Sequence, residues 1–534
     1  MFDKLQSCIS KAKYRQITKM LSLSLAAFTL CGCSPAAPMS EQMKGPVDSA
    51  DNQITSLGLE PDLDYERPSL QAHIEINQLG YAADCNKIAV FRGDNLSATF
   101  NVIDADTKEV VYTGDIKEKL LPDASSSYFY GDFSEYTSPG VYYIQTDVIG
   151  YSYPFEIKED IYDEVMTEAL KQFYFNRCGT SLSRQYAGDD ARNACHTENV
   201  ALKSDGNVSL DVTGGWHINT VGDRSVEVGC NVIETLLLAY EYNTDACTRD
   251  FAIPESEDDI PDILNEIKTE TDWLLKMQDQ VSGAVYQAVS VVDKGQGADN
   301  PCHVESVNMD ATLAFASALG YFSYIYQNYD TGYATTCLQA ADRAMKYASK
   351  FPTELDEDGY FKAATMLYRA TGYFRYKQII TDYCSARDSY DMANNKVFNG
   401  VVTYMATKQK TDAKVCDVMM KNLRAYAEKL ASDRRDALYL MGAESSEVNH
   451  ATLLSEIARL TVVNYILSSN EYKVVMERYL HYFLGCNPVN TCYIGQYGSI
   501  NIADTDVSHD ILRQPELDAY LILLVSGVHG KGQM

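Results

Sequence analysis

Basic residues are scarce in this sequence of 534 residues. Its 45 lysines and arginines face 74 aspartates and glutamates, which gives a formal net charge of −29. A chain of this charge repels a polyanion, so the composition argues against a nucleic-acid partner. Hydrophobic residues make up 46% and charged residues 22%, which is typical of globular proteins. The length allows two or three domains with substantial cores.

Several familiar patterns are missing as well. The sequence has no serine nucleophile elbow, no phosphate-binding Walker loop and no dinucleotide-binding fingerprint. No repeat of fixed period is visible, which weakens an array-type solenoid. The cysteines beyond Cys33 are scattered, without the dense regular spacing of a disulfide scaffold. Some of them can be small buried hydrophobic residues.

The N-terminus carries the first positive signal. Basic residues precede the apolar run MLSLSLAAFTLCGCS, which is too short for a stable membrane span and has the layout of a secretory signal. The run ends in LCGC, which resembles the lipobox of bacterial lipoproteins with Cys33 as the lipidated residue. An ordinary cleaved signal is the alternative. We predict a signal peptide over residues 1–33, a flexible linker over 34–70, and export to a lipid-anchored position at the bacterial cell surface or membrane.

Two hydrophobic patterns divide the remaining chain. Residues 71–157 contain short runs such as KIAVFRG and GVYYIQT between turns, which predict a small immunoglobulin-like β-sandwich. From about Ile161 onward, apolar residues recur at helical spacing in eleven or so segments, with no strand signal between them. Residues 160–534 are therefore predicted to be all-α, with paired helices. Periodicity alone does not choose among a bundle, a solenoid and a toroid.

Ordered segments carry a resemblance to a known family. INQLGYAADCNKIAVF resembles the start of the sandwich that precedes many catalytic domains of glycoside hydrolase family 9. The family's catalytic domain is resembled, in order, by FYFNRCGTSL, NACHTE, DVTGGWH, IPESEDDIPDILNEIKTETDWLLKMQ and HYFLGCNPVNTCYIGQYG. The resemblance covers about residues 74–498 and implies an (α/α)6 toroid, which agrees with the helix count. It also implies inverting hydrolysis of β-1,4-glucans and related β-glucans in an open cleft at the ends of the helices.

Two cysteines and two histidines form a candidate metal site. Cys178, Cys195, His196 and His217 offer thiolate and imidazole ligands, which suit tetrahedral zinc. Their spacing is not that of a zinc finger, and buried cysteines or a Cys178–Cys195 disulfide are alternatives. Many family members hold a structural zinc with two Cys and two His at corresponding places, so the resemblance implies a structural zinc here. Calcium binding is left open.

The resemblance makes Asp223 the candidate general base. In the family, the loop after Gly-Gly-Trp reads Asp-Ala-Gly-Asp; the second Asp deprotonates the attacking water and the first helps to position it. Here the loop reads HINTVGD, two residues longer, with Asp223 in the Gly-Asp register and Ile218 or Thr220 at the place of the first Asp. The alternative is that Asp223 is a solvated or capping acid in a turn.

The candidate general acid is Glu516. The family's His-rich loop and its Asn-Glu pair, whose Glu is the acid, are missing from this sequence. LDAYLILLVSG can match the family's final helix, which leaves Glu516 or Asp510 near the place of the acid. Glu516 follows Pro515 at a predicted helix start, where the helix dipole favours an acidic residue without any catalytic role.

Tryptophan is rare, with only Trp216 and Trp273, although sugar sites stack rings on aromatic faces. Trp216 is predicted to line the cleft and bind substrate, and Trp273 to lie in the core. The leading hypothesis is an inverting hydrolase of cellulose-type β-1,4-glucan polysaccharide or oligosaccharide. The alternative is a degenerate family member that binds glucan or a partner without hydrolysis, since each missing proton-transfer group costs about 10²–10⁴-fold in rate.

Overall fold

The structure is a computed structural model that describes residues 73–93, 96–120, 127–292, 300–435, 449–495, 497–501 and 511–529. Its first part is a β domain. The strands are β1 Ile74–Glu75, β2 Gly80–Tyr81, β3 Ile88–Phe91, β4 Thr99–Asp104, β5 Val110–Leu120, β6 Ser127–Asp132, β7 Gly140–Thr146, β8 Gly150–Tyr151 and β9 Phe155–Ile157.

The long strand β5 joins two halves of the β domain. The strand order is β1-β3-β6-β5-β4-β7-β9-β2, with β8 beside β7. β5 pairs antiparallel with β4 along its first half and with β6 along its second half. Phe100 lies in the core of the β domain. Its ring centroid is 5.5 Å from that of Phe91 and 6.4 Å from that of Phe133. The prediction of a β domain in this region is confirmed.

The second part of the described chain is mainly helical. Its longer helices are α1 Asp163–Phe175, α3 Val226–Tyr242, α5 Asp262–Lys276, α6 Met309–Tyr326, α7 Thr331–Ala348, α8 Glu357–Thr371, α9 Phe374–Ser385, α10 Asn395–Ala406, α11 Ala413–Arg435, α12 His450–Leu467, α13 Lys473–Phe483 and α14 Pro515–His529. Two single-turn helices are α2 Arg184–Ala187 and α4 Thr244–Cys247. Among the described residues no helix is both long and apolar enough to cross a membrane.

Six of these helices pack one against the next in series. α6 lies between α3 and α8, α10 packs on α8, and α12 packs on α10. α14 packs on both α12 and α3, so the last helix of the series meets the first. The other long helices lie against this series, with α7 on α6, α9 on α8 and α1 on α14.

Five helices of the series begin at the same end of the domain, which we call the N-terminal rim. The rim consists of the first turns of α3, α6, α8, α10 and α14. Lys396 Nζ, from α10, lies 2.8 Å from Asp356 Oδ2 at the cap of α8 and 3.4 Å from Asp310 Oδ1 in α6. Glu227 in α3 interacts electrostatically with both Lys396 and Glu516 of α14. The five helices therefore point the same way.

Short polar side chains explain why these helices begin where they do. An N-cap side chain accepts a hydrogen bond from a backbone N–H that has no partner within the helix. Such bonds are made by Ser225 before α3, Asn308 before α6, Asp356 before α8, Asn394 before α10 and Asn449 before α12.

The prediction of helices with no strands between them is wrong for residues 200–308, where described strands lie between α2 and α6. Seven short strands lie there: β10 Val200–Leu202, β11 Ser209–Leu210, β12 Arg224–Ser225, β13 Val285–Tyr286, β14 Ala288–Val291, β15 Cys302–Val304 and β16 Val307–Asn308. Each has two to four residues, which is too short to show an alternating pattern. Gly372, with φ of 68°, ends α8 in the left-handed conformation and separates it from α9.

The β domain is fastened to the helical domain through the segment INQLGY. The backbone N–H of Gln78 donates to the carbonyl of Leu484 at 2.9 Å, and its side chain donates to the carbonyl of Asn490 at 2.8 Å. Its side-chain oxygen accepts from Ser499 N at 2.9 Å. Gln78 is fully buried, so these bonds satisfy a polar side chain that would otherwise be costly to bury.

Candidate functional site

The four predicted metal ligands come together. Cys178, Cys195, His196 and His217 each present one ligand atom, and all four atoms lie within 4.8 Å of one another. The two sulfurs are 3.9 Å apart, and both cysteines are free thiols. The disulfide alternative is therefore not what the structure shows. Cys178 Sγ lies 3.6 Å from His196 Nδ1, and Cys195 Sγ lies 3.6 Å from His217 Nε2.

These separations fit a tetrahedral ion. With metal–sulfur bonds of about 2.3 Å and metal–nitrogen bonds of about 2.0–2.1 Å, a tetrahedron places two sulfurs about 3.8 Å apart and a sulfur and a nitrogen about 3.6 Å apart. Hydrogen bonding with Cys178, and with His196 and His217, holds the pKa of Cys195 well below its usual range. A negatively charged sulfur is the form that ligates a metal.

The Gly-Gly-Trp turn is held from two sides. The N–H of Cys178 donates to the carbonyl of Gly215 at 2.7 Å. On the other side, the N–H of Trp216 donates to Glu270 Oε2 at 2.6 Å. Glu270 lies on α5 and is buried, and burial raises its pKa to about 8. Gly215 has φ of 81°, and a Cβ on it would lie 2.7 Å from the ring of Trp273, so only glycine fits there.

The prediction that Trp216 lines a cleft and binds substrate is wrong. Its side chain is 2% exposed; it packs against Phe173, with ring centroids 4.8 Å apart, and its indole N–H lies 3.4 Å from Glu266 Oε2. A sugar cannot stack on a ring that is enclosed by the core. Trp273 is 1% exposed, so its predicted place in the core is confirmed.

Asp223 lies at the far end of the same loop, just before β12 and α3. Its Oδ1 accepts from the N–H of Val291 in β14 at 2.7 Å, and its Oδ2 accepts from Asn219 Nδ2 at 2.8 Å. Asn219 Oδ1 in turn accepts from the N–H groups of Val221, Gly222 and Asp223 at 3.1–3.2 Å. The inserted residues therefore form a turn that Asn219 and Asp223 tie to the small sheet.

Glu516 lies at the N-terminal rim. It is the second residue of α14, directly after Pro515, as the sequence predicts. The Glu516 side chain is exposed at the rim, but nearby protein atoms displace part of its water and raise its pKa, and the negative charge of Glu227 raises it further. Partial burial lowers the pKa of Lys396, but bonding to Asp356 and the charges of Asp356, Asp310 and Glu227 outweigh this effect and raise it.

Two of the predicted residues cannot be placed. Cys33 and Asp510 lie outside the described residues, so lipidation at Cys33 and the alternative acid stay predictions.

Two carboxylates at the site were not predicted from the sequence: Glu227 at the rim and Glu270 under the Gly-Gly-Trp turn. The signal for Glu227 was its place two residues after Ser225, a residue of helix-capping type. Nothing local marks Glu270, because its partner Trp216 is 54 residues away.

Two sequence profiles of known families match this chain. The sequence profile of glycosyl hydrolase family 9 matches residues 162–514. The chain belongs to glycosyl hydrolase family 9. The profile of the cellulase N-terminal ig-like domain matches residues 69–150, so the β domain of this family 9 glycosidase is its immunoglobulin-like domain.

Several relatives extend this finding. The family 9 chain is 26% identical over 464 residues to a cellodextrinase of Butyrivibrio fibrisolvens, covering 78% of this chain and 84% of the relative. A family 9 structure from Bacteroides ovatus superposes with a TM-score of 0.76 at 21% identity, covering 86% of this chain and 98% of the other. A zinc-binding triple mutant of the family 9 endoglucanase J30 superposes with a TM-score of 0.74 at 21% identity, covering 84% and 100%. The two superpositions show that this chain shares its fold with both solved structures.

Proposed function

We propose that this chain is an inverting glycoside hydrolase of cellulose-type β-1,4-glucan, acting on the polysaccharide or on its oligosaccharides. The helical domain is proposed to be an (α/α)6 toroid with its cleft at the N-terminal rim. The observation that carries the proposal is the position of Glu516, a carboxyl with a raised pKa, beside further carboxylates at the rim. Membership of family 9 and the cellodextrinase relative support the substrate class.

The proposed chemistry needs an acid and a base on opposite sides of the scissile bond. Glu516 is proposed as the general acid, because a carboxyl with a raised pKa holds its proton for the leaving oxygen at a pH where an ordinary carboxyl has lost it. The general base that the sequence predicts is Asp223, at the far end of the Gly-Gly-Trp loop. An inverting site sets the two carboxyl groups roughly 6.5–9.5 Å apart, so that a water molecule fits beneath the sugar.

Zinc is proposed at Cys178, Cys195, His196 and His217. The distances between the ligand atoms fit a tetrahedral ion with two sulfur and two nitrogen ligands. Four protein ligands leave no open position for substrate or water, so the role of the ion is structural. It would join the residues after α1 to the Gly-Gly-Trp turn. Calcium binding remains open in this proposal.

A second function is favoured by one observation, the hydrogen bonding of the Asp223 carboxylate within the protein. Both of its carboxylate oxygens accept hydrogen bonds from the protein, which is the environment of a structural acid in a turn. A family member without a free base would bind glucan, or a partner, without hydrolysing it. The enzyme is the leading proposal because Glu516, a carboxyl with a raised pKa, lies at the rim beside Glu227.

We also propose that the protein is exported and lipid-anchored at the bacterial cell surface or membrane. Cys33 would be the lipidated residue, after a signal peptide over residues 1–33 and before a linker over 34–70. The immunoglobulin-like domain would span 71–157 and the catalytic domain 160–534. The lipobox-like sequence LCGC supports the anchor. A Cys33→Ala chain that still partitions into the membrane fraction would contradict it.

The test of function is turnover by the full chain on cello-oligosaccharides, cellulose and xyloglucan, with NMR of the first product. Inversion of a β-linkage releases the α-anomer first. Glu516→Gln should lower kcat/KM by about 10²–10⁴-fold. The matched control is Glu118→Gln, an exposed glutamate of β5 in the immunoglobulin-like domain, which should keep full activity. Binding of glucan without turnover in the parent chain would favour the second function.

A further inference from the structure

The carboxylate of Asp223 faces the small sheet. Val291 N–H and Asn219 Nδ2 approach its two oxygens at 2.7 and 2.8 Å. Val291 belongs to β14, which pairs with β12 directly after Asp223. These contacts hold the carboxylate against β14 and the turn. A base that must collect a proton from water beside a sugar needs an oxygen directed into the cleft.

Glu227 is placed differently. It is the second residue of α3, and its side chain is half-buried. Ser225 is the N-cap and accepts from Val228 N. A glutamate at the third helical position would reach back to the cap, whereas Glu227 at the second position does not. No hydrogen-bond donor within the described parts of the chain contacts the Glu227 carboxylate.

Glu227 and Glu516 occupy equivalent positions on neighbouring helices. Each is the second residue of its helix, and α3 and α14 pack directly against one another with their first turns at the same end. Packed helices have axes about 8–10 Å apart. That spacing is close to the separation of roughly 6.5–9.5 Å that an inverting glycosidase requires between its carboxyl groups. The interaction of Glu227 with Glu516 agrees with this proximity.

Lys396 completes the arrangement. Its ammonium group is fixed at the rim by Asp356, at 2.8 Å, and by Asp310, at 3.4 Å, and it interacts electrostatically with Glu227. Lys396 therefore places a fixed positive charge at the rim, close to the side chain of Glu227.

We propose that Glu227, rather than Asp223, is the catalytic residue that takes the proton from the attacking water, opposite Glu516. This rests on the proposed hydrolase function. Water loses one proton to the Glu227 carboxylate while its oxygen bonds to C1 of the sugar. The C1–O bond breaks, its electron pair stays on the leaving oxygen, and Glu516 gives that oxygen a proton. Exchange of one proton with solvent restores both residues.

The kinetic test compares Glu227→Gln with Asp223→Asn in the full chain, each checked for fold by its melting temperature. Glu227→Gln should lower kcat/KM on cello-oligosaccharides by about 10²–10⁴-fold, through kcat more than KM. Asp223→Asn should lose less than about tenfold, since its carboxylate is assigned to holding the turn. Loss of turnover in Asp223→Asn with activity retained in Glu227→Gln overturns the assignment and leaves the hydrolase function standing.

Azide distinguishes a missing base from a damaged site. In Glu227→Ala, azide can occupy the space of the lost side chain and attack C1 without needing a base. Glycosyl azide of inverted configuration should therefore accumulate with that variant and not with Asp223→Ala. The reverse pattern overturns the assignment. A parent chain that turns over no glucan overturns both the hydrolase function and the role of Glu227.

One readout is independent of turnover. The pKa of Glu516 can be followed by NMR with ¹³C-labelled glutamate, its signal assigned by loss in Glu516→Gln. Removing the charge of Glu227 in Glu227→Gln should lower that pKa, whereas Asp223→Asn should leave it nearly unchanged. A Glu516 pKa that responds to Asp223→Asn and not to Glu227→Gln overturns the proposal.

Discussion

The two ends of the loop from Asp211 to Ser225 are built in opposite ways. The first end, around Trp216 and His217, is enclosed: Trp216 is 2% exposed, and its backbone is held by a buried glutamate. The second end, from Ile218 to Asp223, is a more exposed turn held by the side chain of Asn219. The first end contributes His217 to the Cys and His cluster, whereas the second end is the part of the loop that is longer than the family pattern the sequence resembles.

This difference shows which part of an active-site loop tolerates change. The Cys and His cluster and the buried Trp216 are held by many contacts at once, so a change there costs stability. The exposed turn depends on a few local hydrogen bonds and tolerates insertions. Catalytic residues in such a turn can therefore change without loss of the fold. Here the proposed base is Glu227, a carboxylate at the start of α3.

The largest expected effect comes from removing one side chain of the Cys and His cluster, which holds the enclosed end of the loop. Cys195→Ser removes one of four ligands, and the remaining three should lose the metal. We expect about one zinc per parent chain by mass spectrometry and none in the variant. The free energy of unfolding in denaturant should fall by on the order of 4–5 kcal/mol, because metal binding contributes to folding.

The control for this substitution is Cys416→Ser, a half-buried cysteine on α11 outside the ligand cluster. It should keep its zinc and lose no more than about 1 kcal/mol. A parent chain without zinc, or two variants with equal losses, would contradict a metal site at these residues.

The same contrast explains what the sequence could predict. The Cys and His cluster was predictable because four chemically distinctive side chains matched, in order, the pattern of the family that the sequence resembles. The burial of Trp216 was missed because its enclosure depends on Glu266, Glu270 and Phe173, which belong to other elements. The role assigned to Asp223 rested on the register within a loop of altered length, and register does not give the direction of a side chain.

The fold was predictable to a similar degree. Long helices such as α6 and α7 were predictable from the spacing of their apolar residues, since 18 residues each give several turns of pattern. The five-stranded sheet beside the loop was not, because β10 and β15 pair across about 100 residues through three-residue strands. It is this sheet that holds Asp223 in place.

An intermediate effect is expected from Glu270, which holds the enclosed end. Its pKa in the folded chain is about 8, against an ordinary value of 4.5, because it is buried. The folded state therefore binds a proton more tightly than the unfolded state. The stability from this group is full below about pH 4.5 and is lost as pH rises towards about 8, with a slope of up to about 1.4 kcal/mol per pH unit.

Glu270→Gln should remove that slope, because a glutamine can accept from Trp216 N–H without titrating. Urea unfolding of both proteins between about pH 5 and pH 8 measures the difference, with Glu357→Gln as the exposed control that keeps the parent slope. If the slope were the same in Glu270→Gln as in the parent chain, another group would be responsible for it.

The smallest effect is expected at the exposed end. Asn219→Ala removes the hydrogen bond to Asp223 and the acceptor for three backbone N–H groups, all of which can turn to water. The free energy of unfolding should fall by only about 0.5–1 kcal/mol, with zinc content unchanged. Hydrogen exchange should instead accelerate at residues 221–223. The matched control is Asn207→Ala, another exposed turn asparagine, bonded to Asp205, which should leave exchange at 221–223 unaffected. A global loss of stability as large as that of Cys195→Ser would mean that the two ends of the loop fold as one unit, and the contrast between them would fail.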